Sequence, residues 1–260
     1  MAKASNEPVD ITPQFASAGI TQVLSYQELV STNLEAMRLA GRNAPSGTVV
    51  LAARQTKGRG RLDRTWESPE GGLYCSILLR PPASLTLSLL PLLAGLAVTA
   101  TLEDYQVPAK IRWPNDVLVD GKKVAGILLE LESSKESVAV VIGVGVNLNV
   151  DLSLLSPEVQ PQALSLAQYC GHPFETHEVL RVFLQHFSML YLEFLKGNHS
   201  RLRSVWKEKS DTLGRAVRIL TPQGPVEGDA VDIDEQGFLQ VRRPHGQIVT
   251  VSAGDCLYLR

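Results

Sequence analysis

The chain is predicted to be α+β, a large mixed domain followed by a small all-β module, and two patterns carry that prediction. Up to about residue 210, β-branched apolar runs such as "TVVLAAR" alternate with stretches of helical periodicity. Beyond Thr212 the helical period disappears. Short strand-like runs are then separated by turn residues at Pro222-Gln-Gly224, Asp234-Glu-Gln-Gly237, Pro244-His-Gly246 and Ala253-Gly254. That is the composition of a small β-barrel. With 260 residues the chain can bury a sizeable core and still carry such an appendage.

The elements follow in order. Residues 1–20, opening "MAKASNEPVDITPQ", are polar, lack the apolar core of a signal peptide, and read as a disordered tail. "TQVLSY" is a strand. "STNLEAMRLAGR" starts a helix, with Thr32 and Glu35 spaced as a capping box and Leu34 and Met37 on one apolar face. "TVVLAAR" (48–54) has the unbroken apolar run of a buried strand, and "LYCSILLR" (73–80) is another, stopped by Pro81-Pro82. From Pro81 to Leu102 no residue is charged, which is the length of a membrane span. Ser84, Thr86, Ser88, Thr99, Thr101, Pro91 and Gly95 interrupt it, however, and with Ser88 as N-cap Pro91 falls in the first turn, where proline is tolerated. A buried helix of a soluble domain is predicted there.

In "KIRWPNDVLVDGKKVAGILLELE", Asp120-Gly121 between two apolar runs marks a two-residue hairpin. "VAVVIGVGVNLNV" (138–150) is a further strand, and 151–175 is loop with short helical pieces. "HEVLRVFLQHFSMLYLEFLK" then carries a helical stripe from Val179 to Phe194, capped by Thr176. The change of pattern places the domain limits at 21–210 and 211–260.

Composition narrows the function classes. The net charge of -2 gives no general attraction for nucleic acid or an anionic membrane, so neither is expected as a partner. Cys75, Cys170 and Cys256 are scattered without a CxxC pair, and the five histidines show no HExxH spacing. No disulfide framework or protein-held metal is expected, and a reducing, cytoplasmic compartment fits best.

Against this balanced background, "ARQTKGRGRLDRTW" (53–66) concentrates Arg54, Lys57, Arg59, Arg61 and Arg64 around two glycines. Gly58 and Gly60 can take backbone angles closed to other residues and form an anion nest, while forked guanidinium groups suit phosphate or carboxylate. The loop is neither GxxxxGK[ST] nor a complete GxGxxG, whose third glycine is Asp63 here. Its low apolar content predicts a loop that is mobile until an anion arrives.

Four segments, "LVSTNLEAMRLA", "ARQTKGRGRLDRTW", "IRWPNDVLVDGKKVAGILLE" and "GVGVNLN", occur in that order ahead of the β module. Together they resemble the biotin protein ligases, over roughly Ser25 to Arg260. The resemblance implies a mixed-sheet catalytic domain of the biotin/lipoate ligase type, akin to class II synthetases, followed by an SH3-like barrel. Many bacterial relatives carry an N-terminal DNA-binding helix-turn-helix. About twenty residues precede the first strand here, so a ligase without a repressor role is expected, as monomer or homodimer.

The implied activity is ATP-dependent: biotin is activated as biotinyl-5'-AMP and passed to a lysine of a biotin carrier protein, expected to be the acetyl-CoA carboxylase subunit. By resemblance, Ser31, Thr32, Asn33 and Gln55 bind biotin's ureido ring, and Arg59, Gly60 and Arg61 contact biotin and adenylate. Arg64 and Gly58 flank the nucleotide and Trp66 closes over adenine. Asn115 meets the phosphates or their Mg²⁺, Asn147 lies near the nucleotide, and Lys123 bridges the biotin carboxylate and the α-phosphate, with Arg61 as its catalytic companion. Read without the resemblance, Ser31 and Thr32 are helix caps, Asn115-Asp116 a turn after Pro114, Trp66 an aromatic core residue and Lys123 a solvated hairpin lysine. Arg112 departs from the family, which usually has lysine before Trp-Pro-Asn-Asp. The nearest rival, lipoate or octanoate attachment, is disfavoured by Gln55 and the GRGR and WPND motifs. A nucleic-acid module is disfavoured by charge balance and the absence of aromatics interleaved in the loop.

Overall fold

Eight strands form the central sheet in a computed structural model that describes residues 7–15, 19–133 and 138–259. They are β1 (Val9–Asp10), β2 (Gln22–Leu29), β3 (Thr48–Gln55), β4 (Leu73–Leu79), β5 (Lys110–Arg112), β6 (Asp116–Val119), β7 (Lys122–Ser133) and β8 (Val138–Val146). Their spatial order is β1-β2-β3-β4-β8-β7-β6-β5. Only β2 and β3 pair in parallel, because α1 (Thr32–Ala40) carries the chain back between them; the other neighbours are antiparallel. The sheet is therefore mixed, as the family resemblance implies.

Both sheet faces are covered, which explains the unbroken apolar runs of β3, β4 and β8. One face packs Leu24, Tyr26, Val50, Ala52, Leu78 and Val141 against Ala36 and Ala40 of α1. The opposite face packs under α2 (Leu90–Asp104), which lies against α4 (Thr176–Leu195). Between them come the short α3 (Leu166–Cys170), and after them α5 (His199–Lys209). The uncharged stretch after Pro81 thus becomes a core helix, with Leu90, Leu93, Ala94 and Ala97 at 0 % exposure.

Five antiparallel strands follow: β9 (Ala216–Thr221), β10 (Gly224–Ile233), β11 (Leu239–Arg242), β12 (Ile248–Val251) and β13 (Asp255–Tyr258), ordered β12-β11-β10-β9-β13. Their core residues Val217, Ile219, Leu239 and Val241 are continuous with the main core. The junction is hydrogen-bonded: Trp113 N donates to Thr212 Oγ1 at 2.9 Å and Trp113 Nε1 to Gly237 O at 3.2 Å.

Several local expectations need correction. The segment read as a disordered tail contains β1, which pairs with β2, and it buries Ile11 and Phe15 in the core; residues 1–6 and 16–18 of that segment lie outside the described residues. Ser31, not Thr32, is the N-cap of α1, and no capping box forms, because Glu35 bonds Tyr26 Oη and Arg38 instead. Leu34 is 39 % exposed; the helix buries Thr32, Asn33, Ala36 and Ala40. Ser88 does not cap α2: its hydroxyl donates to Gln236 O of the β module. Glu175, not Thr176, is the N-cap of α4. Each time, a polar side chain that local spacing assigned to a cap is claimed by a tertiary partner or lies inside the helix.

Candidate active site

The β3–β4 connection is a hairpin-like arm. Isolated antiparallel bridges join Gln55 to Ser68 and Arg59 to Thr65, and Arg64 N donates to Arg61 O at 3.1 Å around its tip. The left-handed residues of that tip are Leu62 (φ 53°) and Asp63 (φ 57°); Gly58 and Gly60 are outside the left-handed region. The expected glycine nest is therefore not formed. Gly58 is needed for close approach instead: a Cβ there would lie 2.2 Å from Trp66 O and 2.5 Å from Ser68 Oγ. Side chains pin the arm. Arg59 pairs with Glu130 at 2.9 Å, Arg64 pairs with Asp255, and Arg61 Nη1 donates to Asn115 Oδ1 at 3.1 Å and Gly254 O at 3.3 Å. The arm expected to be mobile is here a pinned hairpin.

Opposite the arm, β7 and β8 supply a floor without side chains. Gly126 and Gly145 are cross-strand partners, and the indole of Trp66 lies on them. A Cβ on Gly145 would be 2.5 Å from Trp66 Nε1, and one on Gly126 would be 3.0 Å from Cζ3. Gly143 is as restrictive: its Cβ would lie 2.1 Å from Asn33 Oδ1. Three interior glycines thus let large groups rest on backbone.

Lys123 reaches this face because of a register break. The β6–β7 pairing slips between Val117 and Leu118, leaving Val124 as the extra residue of a bulge. Strict alternation from Leu128 and Gly126 would bring Val124 and then Lys122 to the cavity. The bulge sends Val124 into the core at 0 % exposure, leaves Lys122 in solvent and turns Lys123 inward.

Polar groups converge at the α1 end. Thr32 N and Oγ1 both donate to Gln55 Oε1, at 2.8 and 3.1 Å, and Gln55 Nε2 donates to Ser68 Oγ at 2.8 Å. Ser76 Oγ, fully buried on β4, sits 2.8 Å from Thr32 Oγ1 and 2.6 Å from Asn33 Oδ1. At the other end, Asp116 joins two cations: Lys123 Nζ at 2.5 Å from Oδ1 and Arg112 Nη2 at 2.6 Å from Oδ2. Burial pushes the Asp116 carboxyl up, but Lys123 and Arg112 outweigh it and hold the pKa below 3.8. Burial likewise pulls the Arg61 guanidinium below its usual value, with Asp255 and Asp116 opposing.

These groups enclose two adjoining cavities. The first, of about 140 Å³, is lined by Ser31, Thr32, Asn33, Gln55, Arg59, Gly60, Arg61 and Asn115 among others. The second, of about 240 Å³, is lined by Arg112, Asn147, Leu155, Val159 and Ala163 with their neighbours. Arg64, Thr65, Trp66, Asp116 and Lys123 line both, so the wall between them is the indole and the ammonium, 5.1 Å apart.

Of the predicted residues, Ser31, Thr32, Asn33, Gln55, Arg59, Gly60, Arg61, Arg64, Trp66, Asn115 and Lys123 are brought together in the first cavity. Asn147 borders only the second, and Gly58 lies beneath the arm and lines neither. Asn115 is engaged at both ends, accepting from Arg61 and donating to Ile127 O at 2.7 Å, so it acts as a strut. Sequence reasoning missed Asp116, Glu130, Ser76 and Asp255, and the purpose of Gly126, Gly143 and Gly145. The glycines were findable, since glycine inside a strand marks a close approach. Asp116 sits in the Trp-Pro-Asn-Asp motif beside Asn115, whereas Glu130 and Asp255 had no local signal.

The comparisons with known proteins identify the family. Residues 26–147 match the model described as the biotin/lipoate A/B protein ligase family, and residues 212–258 match the biotin protein ligase C terminal domain. A bifunctional ligase/repressor BirA of Bacillus subtilis is 35% identical over 230 residues, covering 86% of this chain and 71% of that protein. A biotin--[acetyl-CoA-carboxylase] ligase of Paracoccus denitrificans is 35% identical, covering 86% of this chain and 95% of the relative. Among solved structures, a biotin protein ligase from Aquifex aeolicus in complex with biotin and ATP superposes with TM-score 0.79 and 34% identity, covering 92% of this chain and 98% of that one. With both of its domains matched in order and relatives above 30% identity over most of their length, this chain belongs to the biotin protein ligase family.

Proposed function

We propose that the protein is an ATP-dependent biotin protein ligase that forms biotinyl-5'-AMP and transfers biotin to a lysine of a carrier protein. The observation that carries this reading is the shared wall: two cavities of different chemistry meet at Lys123. The first has a neutral polar end at Thr32, Asn33 and Gln55, suited to a ureido ring, and a cationic end suited to a carboxylate. The second, with Asn147 and an apolar side of Leu155, Val159 and Ala163, suits a nucleoside.

In the first step a biotin carboxylate oxygen attacks the α-phosphorus of ATP. The bond from that phosphorus to the bridging oxygen breaks, and pyrophosphate leaves. Two unit negative charges about 4 Å apart repel by roughly 4 kcal/mol at an effective dielectric near 20. An ammonium between them more than offsets that, and Lys123 holds that position in the reading. The ligand's oxygens take Lys123 from Asp116, while Arg112 keeps the Asp116 charge compensated. Arg59, Arg61 and Arg64 hold the remaining negative charge, and the arm keeps water from the mixed anhydride. In the second step the acceptor lysine's amine attacks the acyl carbon, AMP leaves with the bonding pair, and the amine gives up its proton.

Mg²⁺ would enter with the nucleotide substrate. Among the described residues no cluster of three or more His, Cys, Asp or Glu side chains offers a resident site. The test is a mixture of the protein, ATP, Mg²⁺, biotin and a carrier domain, read by mass spectrometry. A single biotin on one lysine supports the reading, whereas lipoate used in preference to biotin in direct competition overturns it.

A further inference from the structure

We propose that Glu130 fixes the orientation of the Asn33 amide and thereby makes the ring end of the first cavity selective for a ligand that presents an N–H group there. The proposal rests on the reading of that cavity as a biotin site. Asn33 is 3 % exposed, so its amide must be satisfied internally. Its Nδ2 donates to Glu130 Oε2 at 2.8 Å, and its Oδ1 is 2.6 Å from the Ser76 hydroxyl.

A carboxamide has nearly the same shape either way round, and a hydroxyl such as Ser76 can donate or accept. A carboxylate accepts only. Flipping Asn33 would set Oδ1 against Glu130, two acceptors facing each other with no proton between. Glu130 is thus the partner of fixed polarity in this cluster. It is itself held: its Oε1 pairs with Arg59 Nη2 at 2.9 Å, and its side chain is 18% exposed.

The outcome is a carbonyl oxygen held over Gly143, both residues being part of the first cavity's lining. An amide oxygen accepts two hydrogen bonds, and Ser76 supplies one. The other is available to a ring N–H of a cyclic urea. A dithiolane or alkyl acid has no donor to offer, and a buried acceptor left unpaired is costly. Glu130 therefore acts through Asn33 as a positioning residue for specificity. Through Arg59 it also ties the ring end of the cavity to the basic arm.

The test is biotin-dependent ATP–pyrophosphate exchange with biotin and with its two mono-N-methyl ureido derivatives, alongside thermal melts. The native protein is expected to reject at least one N-methyl isomer by on the order of a hundredfold or more in kcat/KM. In Glu130→Gln, whose amide can present either end, that ratio is expected to fall about tenfold, mostly through a raised KM for biotin. Glu130→Asp keeps the acceptor polarity and is expected to retain the ratio. Arg59→Gln breaks the ion pair but not the Asn33 contact, so it is expected to weaken biotin use while keeping the ratio. An unchanged ratio in a folded Glu130→Gln, or the same loss of ratio in Arg59→Gln, overturns the proposal. A native protein inert toward biotin removes the assignment of the cavity, and this proposal with it.

Discussion

Gly145→Ala tests whether the wall between the two cavities is set by backbone contact. The new Cβ would lie 2.5 Å from Trp66 Nε1, 2.7 Å from Cε2 and 3.1 Å from Cζ2. Non-bonded heavy atoms sit at about 3.5–4.0 Å, so the indole must lift by about 1 Å. Lifting changes its placement against Lys123 Nζ, which lies 5.1 Å from the ring centroid. A misplacement of about 1 Å in a reacting constellation costs on the order of a hundredfold. The fold has an easier escape, because the ring can move into open cavity. The overpacking cost should stay near the lower end of about 1–3 kcal/mol, a fall in Tm of a few degrees for a chain of this size. Pyrophosphate exchange should therefore fall about a hundredfold with Tm nearly kept. The clash needs the indole, so in a Trp66→Ala background the glycine substitution should add almost nothing. Exchange near the native rate in Gly145→Ala, or full additivity of the two substitutions, would refute the wall.

Lys123→Met should lower exchange by at least a hundredfold without unfolding the protein, since it removes the cation between the reacting anions; near-native exchange counts against its role. The same substitution has a pH signature. The Asp116 pKa is depressed in the fold, so its contribution to stability is present above 3.8 and lost as the pH falls through the depressed value. Without Lys123 that depression shrinks, and acid unfolding followed by circular dichroism should begin at higher pH than in the native protein. An unshifted acid limb would show that the pair contributes nothing. Arg61→Gly removes the bonds to Asn115 and Gly254 O, so release of the adenylate should speed up by about tenfold or more while Tm moves little; unchanged release argues against the arm as a lid. Asp255→Ala frees Arg64 from a partly exposed pair worth about 0–1 kcal/mol. Trypsin cleavage within 57–64 should quicken with Tm unaltered, and equal cleavage rates would show that the β module does not restrain the arm.

The fold was legible wherever one periodicity ran long enough to be unambiguous. β3, β4 and α4 appear where "TVVLAAR", "LYCSILLR" and the Val179–Phe194 stripe place them to within a residue or a turn, whereas β8 ends at Val146, short of the Val150 that "VAVVIGVGVNLNV" suggests. The Asp120-Gly121 turn shows φ of 49° and 74°, as a two-residue hairpin with both central residues left-handed requires. The caps misled because capping is a local rule. Thr32, Ser88 and Glu35 each had a partner distant in sequence or on a neighbouring element, and a buried or cross-domain bond outranks a terminal one.

The site divides the same way. Its cations and amides sit in short motifs, so residue type and order sufficed to single out Arg59, Arg61, Gln55 and Lys123. Two of the carboxylates that hold the arm's cations lie far away in the chain, Glu130 at 71 residues from Arg59 and Asp255 at 191 residues from Arg64, whereas Asp116, the partner of Lys123, is close in sequence. Sequence by itself determined the long periodic elements and which chemistry the chain carries, but not β1 or α5. Only tertiary structure decided that a bulge at Val124 turns Lys123 rather than Lys122 inward, that three strand glycines make room for Trp66 and Asn33, and that each cation has an internal carboxylate or carbonyl partner. The reason is physical. Periodicity and turn chemistry act over a few neighbours along the chain, whereas charge pairing and steric fit act across a few ångströms of space, between residues that the chain keeps far apart.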